Sequence, residues 1–188
     1  MIRQIVLSGN VGAGKSTLAL LLAKRFGALH VRTHELLKQR GPSVPQERRA
    51  LQEYGEQLDK RTKGAWVRDG LTEAIRRHEE ASLFVLDSVR IASQMEAIRE
   101  AYGQRVVHVH LTADLRELER RYAQRTGTVK ELSSYREVQK NRTERQVDDL
   151  MSIADIVIRT DRCSPTDVSA ESPVASDFMD TMTFPWWM

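Results

Sequence analysis

The run Gly9-Asn10-Val11-Gly12-Ala13-Gly14-Lys15-Ser16 has the residue types and spacing to hold a polyphosphate, because it satisfies the pattern G-x-x-x-x-G-K-[ST]. Its glycines let the backbone wrap closely around phosphate oxygens with no Cβ in the way. The inward-facing N–H groups, and the helix N-terminus that must follow, present partial positive charge to an anion. Lys15 can reach the β- and γ-phosphates of a nucleoside triphosphate, the Ser16 hydroxyl can ligate Mg²⁺, and Thr17 continues the loop into the helix. A second group with chemical potential is Asp87, a lone carboxylate closing the apolar run Leu83-Phe84-Val85-Leu86. Ligands of open α/β sheets bind at the carboxyl ends of the strands, so Asp87 and Ser16 form the candidate Mg²⁺ set. The plain alternative for Asp87 is a strand-end carboxylate that caps the next turn.

A glycine pattern means something only if a strand precedes it and a helix follows. Ile2 to Leu7 is short, β-branched and apolar, and reads as a buried strand. From Lys15 to Phe26 the residues Leu18, Leu21, Leu22 and Phe26 fall on one helical face, and Gly27 supplies a stop. Ala28–Arg32 reads as a second strand. Thr33 is expected to cap a short helix over Glu35–Arg40, and the break Gly41-Pro42-Ser43-Val44-Pro45 ends it. Two helices follow, marked by Leu51, Tyr54 and Leu58 and then by Val67, Leu71, Ala74, Ile75 and His78. Leu83–Asp87 is a third strand. Met95, Ile98 and Tyr102 mark a helix stopped at Gly103, and Arg105–Leu111 is a fourth strand. The stretch 114–150 is charged and helical with an interruption near Gly127, and Ile156–Ile158 is a fifth strand. Strands alternating with helices imply a parallel sheet covered on both faces. The expected fold is therefore α/β: a three-layer P-loop arrangement with a five-stranded parallel sheet.

The chain has 188 residues, 40% of them apolar and 29% charged, which suits one soluble domain with a proper core. A net charge of +3 makes no case for nucleic acid or for a membrane surface. The single cysteine, Cys163, cannot form an internal disulfide and fits a reducing cytoplasm. The short apolar run at the start is a strand, not a signal peptide or a membrane span. Residues 1–162 read as one domain. Residues 163–188 read as a flexible tail, rich in Ser, Thr, Pro and Asp and ending in Phe184-Pro185-Trp186-Trp187-Met188. That ending reads either as a plain disordered end or as an aromatic anchor for another surface.

The first half resembles the adenylate-kinase-like nucleoside monophosphate kinases. The likeness is carried by the loop Gly9–Thr17, by Thr33-His34-Glu35-Leu36-Leu37-Lys38 and by Leu86-Asp87-Ser88-Val89-Arg90. The stretch Arg48-Arg49-Ala50-Leu51-Gln52-Glu53-Tyr54-Gly55 with Trp66 is similar to bacterial and phage members that handle deoxynucleotides. The resemblance implies ATP as donor with Mg²⁺, an acceptor-binding helical region over about 33–78, and a kinase-type lid over about 114–145. It implies acceptor contacts from Thr33, Glu35 in place of an aspartate, Lys38 in place of an arginine, and Arg90. Because lysine lacks the arginine fork, Arg48 or Arg49 is an alternative clamp. Among the arginines after the fourth strand, Arg121 and Arg125 share a helical face and Arg142 returns from the far side of the lid. Such groups would meet the transferring phosphoryl on closure. A salt-bridged surface helix is the alternative, given the interspersed Glu117, Glu119, Glu131, Glu137 and Glu144. The cysteine count excludes a zinc-stapled lid. His108 and His110 alternate with apolar residues and read as packed rather than metal-binding.

The residues leave the acceptor open. A phosphate acceptor needs no general base, whereas a hydroxyl acceptor is served by a carboxylate beside the attacking oxygen. The dephospho-coenzyme A, shikimate and gluconate kinases are similar in fold, and the first two place an aspartate just after the second strand. Here Arg32, Thr33 and His34 stand there. This favours a phosphorylated small-molecule acceptor, most readily a (deoxy)nucleoside monophosphate, with Glu35 a candidate base for the other reading. A third reading is an ATP-binding regulatory module of a larger protein. Without a clear final helix, one sheet face would call for a second copy or a neighbouring domain. Lys15→Ala is expected to abolish phosphotransfer and leave the circular dichroism spectrum unchanged; retained turnover removes Lys15 from its role.

Overall fold

A computed structural model of the protein describes residues 2–45, 47–124, 135 and 146–163. The elements run β1 (Arg3–Gly9), α1 (Lys15–Phe26), β2 (Leu29–Arg32), α2 (Thr33–Arg40), α3 (Arg48–Thr62), α4 (Ala65–Arg77), β3 (Leu83–Asp87), α5 (Ala92–Tyr102), β4 (Val106–Thr112), α6 (Leu115–Ala123) and β5 (Ile156–Arg159). Short 3₁₀ turns occupy Gly103–Arg105 and Asp148–Ile153. All five strands are parallel in the order β2-β3-β1-β4-β5. The chain therefore steps to opposite sides of β1, and the crevice at the carboxyl end of β1 is the topological switch point.

Two apolar layers hold the helices to this sheet. On one face Ile5, Leu7, Val85, Val109 and Leu111 pack against Leu18, Ala19 and Leu22 of α1 and Leu118 and Tyr122 of α6. On the other, Val6, Val31, Phe84 and Leu86 pack against Leu36, Leu58, Trp66, Val67, Leu71, Met95 and Ile98 of α2 to α5. The near-continuous apolar strands of the sequence have the physical cause expected of them, burial on both faces. The α1 stripe is narrower than its periodicity suggests. Leu18 and Leu22 are buried, but Phe26, the last residue of the helix, is 39% exposed, with the Arg25 guanidinium 5.5 Å above its ring. Helix α2 begins at Thr33 itself, so the Thr33 hydroxyl is not the cap; Arg32, in extended geometry, holds that position. Among the described residues no helix is long and apolar enough to cross a membrane.

The centre of the sheet carries one polar knot. His108 and His110 of β4 are buried and flank the Ser8 hydroxyl of β1 at 2.7 and 2.9 Å. His108 Nδ1 lies 3.3 Å from the Ile153 carbonyl, which can only accept, so that nitrogen carries the hydrogen. His108 Nε2 then accepts from Ser8, and Ser8 accepts from His110 Nδ1–H, giving one consistent direction through the knot. Burial pulls both imidazoles down to about 4. Between pH 4 and 6.5 the unfolded chain therefore binds more protons at these sites than the folded one. Their stabilising effect is complete above the unfolded value and is lost as pH falls through this window, by roughly 3 kcal/mol per ring. Urea midpoints are expected to fall from pH 7 to pH 4.5, and to fall less in a His108→Gln/His110→Gln variant. An equal slope in the two proteins would show that the rings are not the titrating groups.

Candidate active site

Beyond Gly9 the chain must leave β1 sharply. A Cβ at Gly9 (φ 129°) would sit 2.0 Å from the Leu111 carbonyl oxygen of β4, and Gly12 and Gly14 also have positive φ. The residues Gly9–Thr17 then curl over the sheet and open α1, as the pattern predicts. Lys15 folds back, donating to the carbonyls of Gly9 at 2.6 Å and Asn10 at 2.9 Å. Asn10 donates to Asp148 at 3.0 Å, which ties the loop to the turn before β5, while Val11 and Ala13 are buried.

A cleft of about 590 Å³ lies over this loop, lined by Gly12, Gly14, Lys15, Ser16 and Thr17. Strand order decides what faces what. The ends of β2 and β3 bring Thr33, His34, Asp87, Ser88 and Arg90 to one wall, and α6 and β5 bring Glu117, Arg120, Arg121 and Thr160 to the other.

At the first wall the Ser16 hydroxyl donates to Asp87 Oδ2 at 2.7 Å, and His30 Nε2 lies 3.3 Å from the same oxygen. Burial alone would raise the Asp87 pKa; the His30 hydrogen bond, the Lys15 charge and the Ser16 hydroxyl outweigh it, and the carboxyl ends below its ordinary value. It is therefore ionised at neutral pH. The two residues assigned to Mg²⁺ thus converge at one point of the cleft, a hydroxyl and an ionised carboxylate, which is the hard-oxygen chemistry that ion selects. Thr33 donates to the Asp87 carbonyl at 3.4 Å and accepts from the Ser88 amide at 3.3 Å, fixing the end of β3.

Glu35 and Lys38 are not among the cleft-lining residues; Glu35 is half-exposed and pairs with Arg32 at 3.3 Å. Arg48 opens α3, and its side chain lies outside the described residues. Arg125, Arg142 and most of the expected lid also lie outside them. Arg121 lines the second wall, where it donates to the Gly12 carbonyl (3.3 Å), to the Thr160 hydroxyl and carbonyl (2.8 Å each) and to Glu117 (2.6 Å). Glu117 is drawn down to about 2 by Arg120 first and Arg121 second.

Four polar residues in or beside the cleft carry no individual role in the sequence pattern. Arg120 stood in a run of similar arginines, and His34 among residues weighed only for carboxylates. Thr160 had no motif at all. His30 sits within a strand, where an unpaired histidine carries no periodic signal. Its Nδ1 is buried without a partner among the described residues.

A five-stranded parallel sheet with a glycine loop between its first strand and helix, and a strand-end carboxylate meeting that loop, defines the P-loop kinase fold. The chain belongs to the AAA domain family, AAA_18, whose profile matches residues 5–158. Solved structures agree on the fold. TT1252 from Thermus thermophilus is 22% identical, with 97% of this chain and 99% of that one covered and a TM-score of 0.64. An unliganded sugar kinase from Janibacter sp. HTCC2649 is 19% identical (96% and 95% covered, TM-score 0.61). Shikimate kinase from Acinetobacter baumannii in complex with shikimate is 17% identical (98% and 97% covered, TM-score 0.59). No curated protein sequence matches the chain. These comparisons show the AAA domain family and a fold shared with solved kinases, whereas the narrower likeness to nucleoside monophosphate kinases rests on the sequence motifs alone.

Arg121 ties α6 to the loop and to the end of β5: of its four hydrogen bonds one reaches Gly12, two reach Thr160 and one reaches Glu117. Arg121→Ala is expected to cost about 1–3 kcal/mol, read as a drop of several degrees in melting temperature. An unchanged melting temperature would show that these bonds merely replace water.

Proposed function

We propose that the protein is an ATP-dependent phosphotransferase that moves the γ-phosphoryl group of Mg-ATP to a phosphorylated small molecule, most readily a (deoxy)nucleoside monophosphate. The observation that carries this reading is the charge pattern of the cleft. Arg90, Arg120, Arg121 and Lys15 line it, and the carboxylates among its described lining residues are already engaged, Asp87 by Ser16 and His30, Glu117 by two arginines. Such a site suits an acceptor that arrives as an oxyanion and needs no base.

In this mechanism the amides of Gly12–Ser16 and the α1 N-terminus hold the donor phosphates. Lys15 exchanges its two loop carbonyls for phosphate oxygens and follows the charge as it moves to the leaving group. Ser16 and Asp87 would hold Mg²⁺, which when bound supplies positive charge to the phosphate oxygens. Arg90, opposite the loop, fixes the acceptor phosphate in line, and Thr33 and Ser88 shape the wall beside it. Positioning and fixed positive charge are then the main sources of acceleration. Arg125 and Arg142 are proposed to close over the transferring group, and Arg48 to assist on the acceptor side.

A second reading rests on His34. Burial lowers its pKa, so the ring is neutral at pH 7 and able to take a proton from a hydroxyl acceptor. Shikimate and gluconate, named in the structures that share the fold, are the natural probes of that reading.

ADP release measured with a panel of nucleoside 5′-monophosphates, shikimate and gluconate separates these outcomes. One monophosphate is expected to stimulate turnover strongly; stimulation by a hydroxyl compound alone favours the His34 reading, and none at all leaves a binding module. For the stimulating monophosphate, Arg90→Ala is expected to raise the acceptor KM about 10–100-fold with the ATP KM little changed.

A further inference from the structure

Three successive backbone amides carry the chain past the end of β3, and each is held by a different element. Ser88 N donates to Thr33 Oγ1 of α2 at 3.3 Å, Val89 N to the Leu7 carbonyl of β1 at 3.0 Å, and Arg90 N to Gln94 Oε1 of α5 at 2.8 Å. The third partner is itself a side chain, and so has to be held in turn. The Gln94 amide nitrogen donates to Asp59 Oδ1 of α3 at 2.8 Å, and the Trp66 indole of α4 donates to the same oxygen at 2.6 Å. Gln94 and Trp66 are each only 3% exposed. An independent feature of the backbone presses the same pieces together. Gly64, between α3 and α4, lies against the start of α5 so closely that a Cβ would stand 2.6 Å from the Gln94 nitrogen and 2.8 Å from the Ser93 carbonyl carbon.

We propose that Gln94, Asp59 and Trp66 are positioning residues that set the place of Arg90, so that the α3–α4 hairpin and the Arg90 loop meet the acceptor as one unit. The inference rests on reading Arg90 as the acceptor clamp. A carboxamide and a carboxylate at the junction of three helices add nothing that apolar side chains of the same volume would not supply to packing. What they add is direction. The glutamine can satisfy both its donor and its acceptor only in one orientation, and that orientation places the Arg90 amide. Burial raises the Asp59 pKa, with the hydrogen bonds from Gln94 and Trp66 opposing it, as expected of a carboxylate kept inside for its acceptor oxygen.

The test uses the full chain and whichever nucleoside 5′-monophosphate of the panel stimulates it most. Gln94→Leu and Asp59→Leu keep bulk and remove the tie; Asp59→Asn keeps a side-chain oxygen for both donors. The two leucine variants are expected to raise the acceptor KM about tenfold while the ATP KM stays within about twofold, with Asp59→Asn close to wild type. Equal changes in both KM values, no change in either, or an Asp59→Asn variant as impaired as Asp59→Leu would overturn the proposal. A second readout does not depend on the acceptor: the Arg90 amide, followed by hydrogen exchange, is expected to exchange about tenfold faster in Gln94→Leu. If no monophosphate stimulates the wild type, the reading of Arg90 fails, and unchanged Arg90 exchange then sinks the tie as well, whereas faster exchange preserves it. Should Gln94→Leu not fold, Trp66→Phe, which removes the indole donor together with one ring, takes its place with a smaller shift of the same sign, again read as acceptor KM against ATP KM.

Discussion

Strands β1 and β4 run so close at Gly9 that there is no room for a single methyl group between them. The contact is a constraint on the whole molecule. It keeps β1 paired with β4 out to residue 9, two residues past the last pair with β3 at Leu7, and the chain then turns out of the sheet at the switch point in a glycine conformation. Everything that faces the cleft is then placed by which side of β1 its strand occupies. The carboxylate of β3 meets Ser16, and the end of β5 reaches the back of the loop through Thr160 and Arg121.

Electrostatics in this cleft works by engagement. Lys15 sits on two loop carbonyls, Asp87 accepts from a hydroxyl and lies beside an imidazole, and Glu117 is held by two guanidinium groups. Groups held in this way keep their charge and lose little freedom on meeting a ligand, which is what electrostatic preorganisation requires. The buried Ser8–His108–His110 knot serves the same geometry from below, since it joins β1 to β4 one residue before the loop begins.

The α/β architecture was legible because its signals are local. Apolar runs of strand length, glycines at 27 and 103 that end helices in left-handed or positive-φ geometry, and a helical period in α1, α4 and α5 all survive without knowledge of the tertiary structure. The misjudged details share one cause. A threonine before a helix predicts a cap because hydroxyls commonly cap helices, yet the Thr33 hydroxyl is used by the end of β3, 54 residues away. Phe26 continues the periodic stripe into the last residue of the helix, where nothing covers it fully.

From the sequence alone came the phosphate loop, the strand-end carboxylate, the parallel sheet and the excess of arginine over base, because each is written in residue type at short spacing. The tertiary structure decided the rest. It paired Glu35 with Arg32, tied Arg121 on the cleft wall to Gly12 and Thr160, set His30 beside Asp87, and joined Asp59, Trp66 and Gln94 to the Arg90 amide. These are pairings between residues tens of positions apart. A hydrogen bond has a direction and a range of about 3 Å, and no periodicity in a chain can say which distant atoms will meet within it.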